Sequence, residues 1–363
     1  MFAQRIIALA AVLAFVGWQA VPARAIAPIN LGTLGANTIR QNFSRGAKVN
    51  SFNEVTGVTT RSGTLEQPFG YADPFIFSIL GSGQNGAGHD LNDVGQIVGQ
   101  VVTPSGLRGF RHSTGGTALL PPLSPTLYPR SYALGTNNLN DAIGVSESPG
   151  PLPFFQGTIW AGGGTTPMQV PMNVPRDIND SQLIVGDVFA GPVMAVAFDF
   201  ANQTTPLPMG TLGGNLSRAF AVNNHGEAVG FSVDTNNQWH AFIWDAANGM
   251  TNLGAASLGA IESRAYDINN HGTVVGELNY GGIFRAFCWI DGQILDLNSL
   301  LHPNSGWVLE TANGVNDSGW ITGTGTYFGE QRAFLFRHVP EPSSALLVAV
   351  VCLAVTSKRN RHD

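Results

Sequence analysis

Apolar residues in this chain fall in short runs, β-branched or aromatic, each bounded by Gly, Asn or Asp. The stretch from 217 to 254 shows the pattern most clearly. Ser217-Arg218-Ala219-Phe220-Ala221-Val222 leads into Asn223-Asn224-His225-Gly226, and the chain returns through Glu227-Ala228-Val229-Gly230. Runs this short between turn residues predict strand, turn, strand rather than helix. Asn and Asp tolerate left-handed backbone and bond their own main chain, and Gly accepts positive φ, so Asn223 to Gly226 predicts a hairpin turn. Asn92-Asp93-Val94-Gly95, Asn269-Asn270-His271-Gly272 and Asn316-Asp317-Ser318-Gly319 repeat that chemistry. A third strand is predicted at a recurring aromatic segment: Phe75-Ile76-Phe77, Thr158-Ile159-Trp160, Phe198-Asp199-Phe200, Phe242-Ile243-Trp244, Phe287-Cys288-Trp289 and Phe334-Leu335-Phe336. Alternate residues of a strand share a face, so the aromatics of each doublet point together into the packing between neighbouring units. The fourth strand is of the Met250-Thr251-Asn252-Leu253-Gly254 type, seen again at Ile294 to Leu297 and Leu207 to Gly213.

Asn followed seven residues later by Gly occurs in each unit: Asn50/Gly57, Asn92/Gly99, Asn137/Gly144, Asn179/Gly186, Asn223/Gly230, Asn269/Gly276 and Asn316/Gly323. Successive starts lie 42, 45, 42, 44, 46 and 47 residues apart. Four strands at a period of about 44 residues are a propeller blade. The expectation is therefore an all-β, seven-bladed β-propeller of four-stranded blades over residues 26–338. The seventh unit stops at Arg337 without a fourth strand, while Leu31-Gly32-Thr33-Leu34-Gly35 nearly matches Met209-Gly210-Thr211-Leu212-Gly213. The N-terminal segment is thus expected to join the last blade and close the ring, hiding the faces that an open array would leave in water.

Units five and six carry His240-Ala241-Phe242-Ile243-Trp244, the repeated phrase Asn-Asn-His-Gly-x-x-Val-Gly, and Gly210-Thr211-Leu212-Gly213-Gly214. In these residues the chain resembles the bacterial extracellular HAF-repeat family, named for His-Ala-Phe. The literal triplet occurs once; Arg285, Arg332 or Val196 stands at the His position elsewhere. The resemblance implies an extracellular location and this architecture. A WD-type propeller has a similar period, yet only Trp244-Asp245 carries that dipeptide.

Both termini change the picture. Arg5, the apolar stretch from Ile6 to Val16, and Ala23-Arg24-Ala25 fit a secretory signal peptide over residues 1–25, cleaved after Ala25 by signal peptidase. Pro340-Glu341-Pro342, apolar Ala345 to Val355, and basic Lys358-Arg359-Asn360-Arg361 over residues 339–363 are similar to the PEP-CTERM sorting signal of Gram-negative-type bacteria. That similarity implies recognition by an exosortase-type membrane protease and a membrane association confined to a transient tail. A plain C-terminal anchor is the alternative, but the apolar run is short against the roughly 20 residues that span a bilayer. Removal of both signals takes away five basic and two acidic residues, leaving 13 basic and 22 acidic side chains and a net charge of −9. No basic patch remains to suggest nucleic acid. Of the two cysteines, Cys352 lies in the tail and Cys288 stands alone, so no disulfide is expected in the mature chain.

Candidate chemistry is sparse. Gly81-Ser82-Gly83-Gln84-Asn85-Gly86 satisfies a dinucleotide pattern, but no βαβ unit surrounds it. The segments starting at Asp90 and Asp267 echo a calcium loop without its bidentate Glu, and read better as hairpin turns. His225 and His271 hold one turn position in adjacent units and lack the convergence that zinc requires. There is no Gly-x-Ser-x-Gly elbow. No metal, cofactor or catalytic residue is expected. The position five before each repeat Asn holds Arg45, Arg218 and Arg264 in three units, and Ala87, Tyr132, Val174 and Thr311 in the others. If it opens the inner strand, these arginines ring one mouth of the central channel, where they would meet an anionic sugar or carboxylate. The alternative pairs each with an inter-blade carboxylate or carbonyl as part of the scaffold. The reading that follows is a secreted, envelope- or exopolysaccharide-associated propeller that is not an enzyme and binds a glycan or surface protein. Its rival is a glycoside hydrolase or lyase working at the propeller axis.

Overall fold

The computed structural model describes residues 27–34, 42–60, 65–81, 84–151, 153–189 and 191–337. Both terminal signals, with Ala23, Ala25 and Pro340-Glu341-Pro342, lie outside them, as do Ser82 and Gly83 of the glycine-rich segment. The described chain forms seven four-stranded antiparallel sheets, each in sequence order from the inner to the outer strand except the last. We number these blades I to VII. Their inner strands are Ser44–Val49, Gly86–Leu91, Arg130–Thr136, Val174–Ile178, Gly213–Val222, Glu262–Ile268 and Trp307–Val315. Each contacts the inner strands of the blades on either side, and blade VII contacts blade I, so the blades form a closed ring. Helix is limited, among the described residues, to two short 3-10 turns, Ala255–Leu258 and Leu297–Leu300. No helix there is long and apolar enough to cross a membrane.

Closure follows the expected route. Ile29 pairs with Leu335 and Asn30 with Phe334, making Ile29–Asn30 the outer strand of blade VII. The Leu31 amide continues the ladder to the Ala333 carbonyl at 3.1 Å. Leu31 then buries its side chain against Val49, Tyr71 and Leu335, where blade VII meets blade I.

The aromatic strands pack between blades. Phe242 and Trp244 bury against Val185, Ala195 and Met209 of the preceding blade, and Phe334 and Phe336 against Val275, Ala286 and Cys288. In blade I the expected assignment shifts by one strand. Phe75–Ser78 is the outer strand, with Phe75 72% and Phe77 43% exposed. The third strand is Glu66–Ala72, whose Phe69 and Tyr71 do the inter-blade packing. Both pairs alternate, so period alone does not separate a buried doublet from an exposed one two turns of pleat away.

Every hairpin between first and second strands is built on the repeat Asn. Its backbone N–H bonds the carbonyl four residues on, and the residue three on donates back to it. That third residue is left-handed throughout: Gly95, Gly226, Gly272 and Gly319, with Asn53, Asn140 and Gln182 in the other blades. The Asn Oδ1 accepts amides within its own turn, as from His225 and Glu227 to Asn223. The Gly seven residues on has a steric cause. In each blade a Cβ there would run into the carbonyl oxygen of the residue five before the Asn, such as Arg45 or Arg264.

Removing residues 26–35 strips the outer strand from blade VII and uncovers the pocket filled by Leu31. We expect a loss of about 2–4 kcal/mol in chemical denaturation, larger than for deleting an equal length of surface loop. An unchanged midpoint would mean that the N-terminal strand does not close the ring.

Candidate functional site

Each inner strand carries a β-bulge at the residue three before its repeat Asn: Ala47, His89, Leu134, Arg176, Phe220, Tyr266 and Asn313 are skipped in the pairing register. A bulge re-aims the side chains around it. Its consequence here is a central channel organised in layers along the strands.

The layer two before the Asn holds Lys48, Asp90, Gly135, Asp177, Ala221, Asp267 and Gly314. Lys48 Nζ lies 2.7 Å from Asp267 Oδ1 and 4.0 Å from Asp177 Oδ2. Each aspartate also reaches one blade onward. Asp90 Oδ2 accepts the Thr136 amide at 2.7 Å, Asp177 Oδ2 that of Val222 at 2.9 Å, and Asp267 Oδ2 that of Val315 at 2.8 Å. Blades II, IV and VI therefore clamp blades III, V and VII. The receiving blades carry Gly135, Ala221 and Gly314 at this position; a Cβ on Gly135 would press on Arg176 and Asp177 of blade IV and one on Gly314 on Lys48 and Val49 of blade I, so a small residue here lets the following inner strand pack close. Burial disfavours the Lys48 ammonium, but Asp267, Asp177 and Asp90 together outweigh it and hold its pKa above the ordinary value. Burial pushes the Asp177 carboxyl up to about 7, with Asp90 and Asp267 adding to the shift against the pull of Lys48 and the Val222 amide. Asp90 moves in the same direction, again chiefly through burial.

On the hairpin side of this layer is an opening of about 160 Å³, rimmed by the repeat turns. The residue after each repeat Asn forms a belt there. The amides of Ser51, Asp93, Asn138, Asp180, Asn224 and Asn270 donate to the side chains of Asp93, Asn138, Asp180, Asn224, Asn270 and Asp317 respectively, at 2.8–2.9 Å. The rim is thus consumed by its own bonds. Among the described residues no group of three or more His, Cys, Asp or Glu is placed to hold a metal ion.

On the other side the channel widens to a cavity of about 730 Å³. Bulge residues dominate its wall: Arg176, Phe220 and Tyr266 on one side, His89 and Asn313 on the other. Arg45, Glu66, Glu310, Thr324 and Gln331 complete the polar side. The Phe220 and Tyr266 rings lie 5.6 Å apart, and the Arg176 guanidinium sits 5.0 Å above Phe220. Arg176 donates to Asp187 Oδ2 from Nε at 3.0 Å and Nη2 at 2.8 Å. His89 Nδ1 lies 2.9 Å from the Ala133 carbonyl, and burial lowers its pKa against the pull of that bond.

The three arginines singled out in the sequence part company. Arg45 lines the cavity, donates to Gln331 Oε1 at 3.0 Å and lies 4.5 Å over the Phe43 ring. Arg264 pairs with Glu277 and stacks 4.5 Å over Trp239 of blade V. Arg218 is close enough to Asp187 to oppose the upward shift that burial imposes on that carboxyl. Neither Arg218 nor Arg264 is among the residues lining the cavity. The seven repeat asparagines come together as one ring: each Nδ2 donates to the carbonyl of the next, at 2.7–3.2 Å, and Asn316 returns to Asn50. Two layers escaped sequence reasoning, the bulge residues and the Lys48–aspartate layer. The available signal was variability: both positions change from unit to unit while the position before them is Gly or Ala in six units, Gly46, Gly88, Ala133, Ala219, Ala265 and Ala312, with Pro175 in the other.

No protein-family model matches the chain, and no curated protein matches it in sequence. Solved structures do resemble it. A puromycin-hydrolyzing peptidase of Mycobacterium tuberculosis superposes with a TM-score of 0.56 at 11% identity, over 88% of this chain and 57% of that one. The chain thus spans little more than half the length of that peptidase. The β-propeller domain of the trilobed protease of Pyrococcus furiosus gives a TM-score of 0.51 at 8% identity, over 82% of this chain and 97% of that domain. That domain has an open velcro topology, whereas here the Ile29–Asn30 strand pairs onto the last blade. At these identities the likeness defines the class of fold, a β-propeller.

The raised Asp177 carboxyl sets a sign for pH dependence. Its contribution to stability is complete below the ordinary carboxyl pKa and is lost as pH rises through about 7. Relative to the Asp177→Asn variant, the wild type should therefore lose roughly 1–3 kcal/mol between pH 4 and 8 in denaturation measured across that range. Parallel pH profiles for the two proteins would contradict the shift.

Proposed function

We propose that this protein is a secreted, envelope- or exopolysaccharide-associated propeller that binds its ligand without transforming it. The observation that carries this reading is the asymmetry of the channel. One end narrows to a small opening where Lys48, three aspartates and the repeat turns bond one another, and the other opens into a cavity whose aromatic, guanidinium and amide groups come from several blades. Convergent polar groups in a cavity of this size are what a small-ligand site requires. The secretory and sorting signals read from residues 1–25 and 339–363 support an envelope location, with signal peptidase and an exosortase-type protease as processing partners. A glycan or surface protein is the ligand such a location offers.

A second reading, a polysaccharide-acting enzyme, draws on one observation: Glu66 and Glu310 both line the cavity, and glycoside hydrolysis uses a carboxylate pair. Glu310 Oε1 already accepts the Thr326 hydroxyl at 2.6 Å.

The purified full chain, applied to a glycan array and incubated with the polysaccharides it retains, should bind at least one and release no new reducing ends. Release abolished by Glu66→Gln or Glu310→Gln would establish the enzyme instead. Retention of no glycan would remove the carbohydrate reading.

A further inference from the structure

The cavity is not uniform, and its two walls ask for different things. We infer that it is a subsite for a neutral pyranose ring, stacked on Phe220 and Tyr266 and hydrogen-bonded by Arg45, Glu310 and Gln331; this inference rests on the binding role proposed above.

The aromatic wall comes from blades IV to VI and is held from behind. Phe220 lies 5.6 Å from Phe231, Phe231 stacks on Trp239 at 4.8 Å, and Arg264 covers Trp239 at 4.5 Å. Rings fixed in this way present an apolar face at little entropic cost. The opposite wall, from blades VII and I, offers planar donors and acceptors: the Arg45 guanidinium, the Gln331 amide it bonds and the Glu310 carboxylate. A pyranose has an apolar C–H face and hydroxyls around its edge, and so meets both walls at once. A flat aromatic ligand would satisfy the first wall and leave the second unpaired and desolvated, which is costly.

Charge selects against an acidic sugar. Arg264 lies outside the lining and is spent on Glu277, and Arg176 is spent on Asp187. The remaining guanidinium of the lining, Arg45, faces two carboxylates there, Glu66 and Glu310. An anion entering the cavity gains no net attraction, whereas neutral hydroxyls can both donate to the carboxylates and accept from Arg45.

Calorimetric titration of the full chain with cellobiose, maltose, lactose, digalacturonate and adenosine tests this. At least one neutral disaccharide should bind, more tightly than digalacturonate, and adenosine should not. Phe220→Leu, which keeps apolar bulk, and Glu310→Gln, which keeps the acceptor for Thr326, should each weaken that binding by about tenfold or more with melting temperatures shifted only a few degrees. If Phe220→Leu fails to fold, Glu310→Gln alone decides. Tighter binding of the uronate, or binding of adenosine alone, would overturn the ligand class. Variants that bind like wild type, beside a positive glycan array, would place the sugar elsewhere and leave the proposed function standing. No carbohydrate bound in either format would remove this subsite together with the carbohydrate reading of the proposed function.

Discussion

Seven asparagine side chains, each giving one amide proton to the main-chain carbonyl of its counterpart in the next blade, hold this ring together. The same residue performs two further tasks. Its Oδ1 caps the hairpin of its own blade, and its backbone groups close the turn around a left-handed residue. Every ring asparagine is buried, and each acceptor carbonyl keeps the bond from its own turn, so the loss of one ring bond costs about 0.5–1.5 kcal/mol, the ordinary net worth of a hydrogen bond. With Cys288 the one cysteine among the described residues, and free, the ring closes by repeated polar contacts laid over the strand pairing of Ile29–Asn30. The other features of the repeat follow from this geometry. The bulge brings the inner strand close to its partner, and only Gly fits where the carbonyl five residues before the Asn presses against it.

Much of this was legible in the sequence because it repeats. The blade count, the hairpin turns and the joining of the N-terminal segment to the last blade, seen as the strand Ile29–Asn30, all came from residues that recur in register. What did not recur was harder to see. The aromatic pair of blade I is Phe69 and Tyr71, because Phe75 and Phe77, with the same alternation, sit on the exposed outer strand. Lys48 and its aspartates look like unrelated residues until the ring brings sequence positions over two hundred apart within hydrogen-bond reach. Their alternation with Gly135, Ala221 and Gly314 is visible along the chain, but its meaning depends on a bond that crosses from one blade to the next. The arginines at one repeat position proved inequivalent for a similar reason. Part of each one's surroundings comes from a neighbouring blade, and those neighbours differ: Trp239 of blade V at Arg264, Gln331 of blade VII at Arg45.

Function, on this account, resides where the repeat is broken. Positions that keep the ring shut are small, polar and uniform. The bulged positions are free to vary because the bulge aims them into the channel rather than into a packed interface, and there Arg176, Phe220, Tyr266, His89 and Asn313 build a wall that no single unit contains. The layer beneath them is polar: Lys48 pairs with Asp267 and Asp177, and Asp90, Asp177 and Asp267 each accept an amide of the next blade.

The ring of asparagines can be observed directly through hydrogen exchange of its side-chain amides. The ring-donating protons of Asn50, Asn92, Asn137, Asn179, Asn223, Asn269 and Asn316 should exchange only through global unfolding, and Asn223→Ala should lower the protection of the remaining six together. Rapid exchange at these amides in the native protein, or a loss of protection confined to Asn179 and the blades beside the substitution, would contradict a ring that closes as one unit.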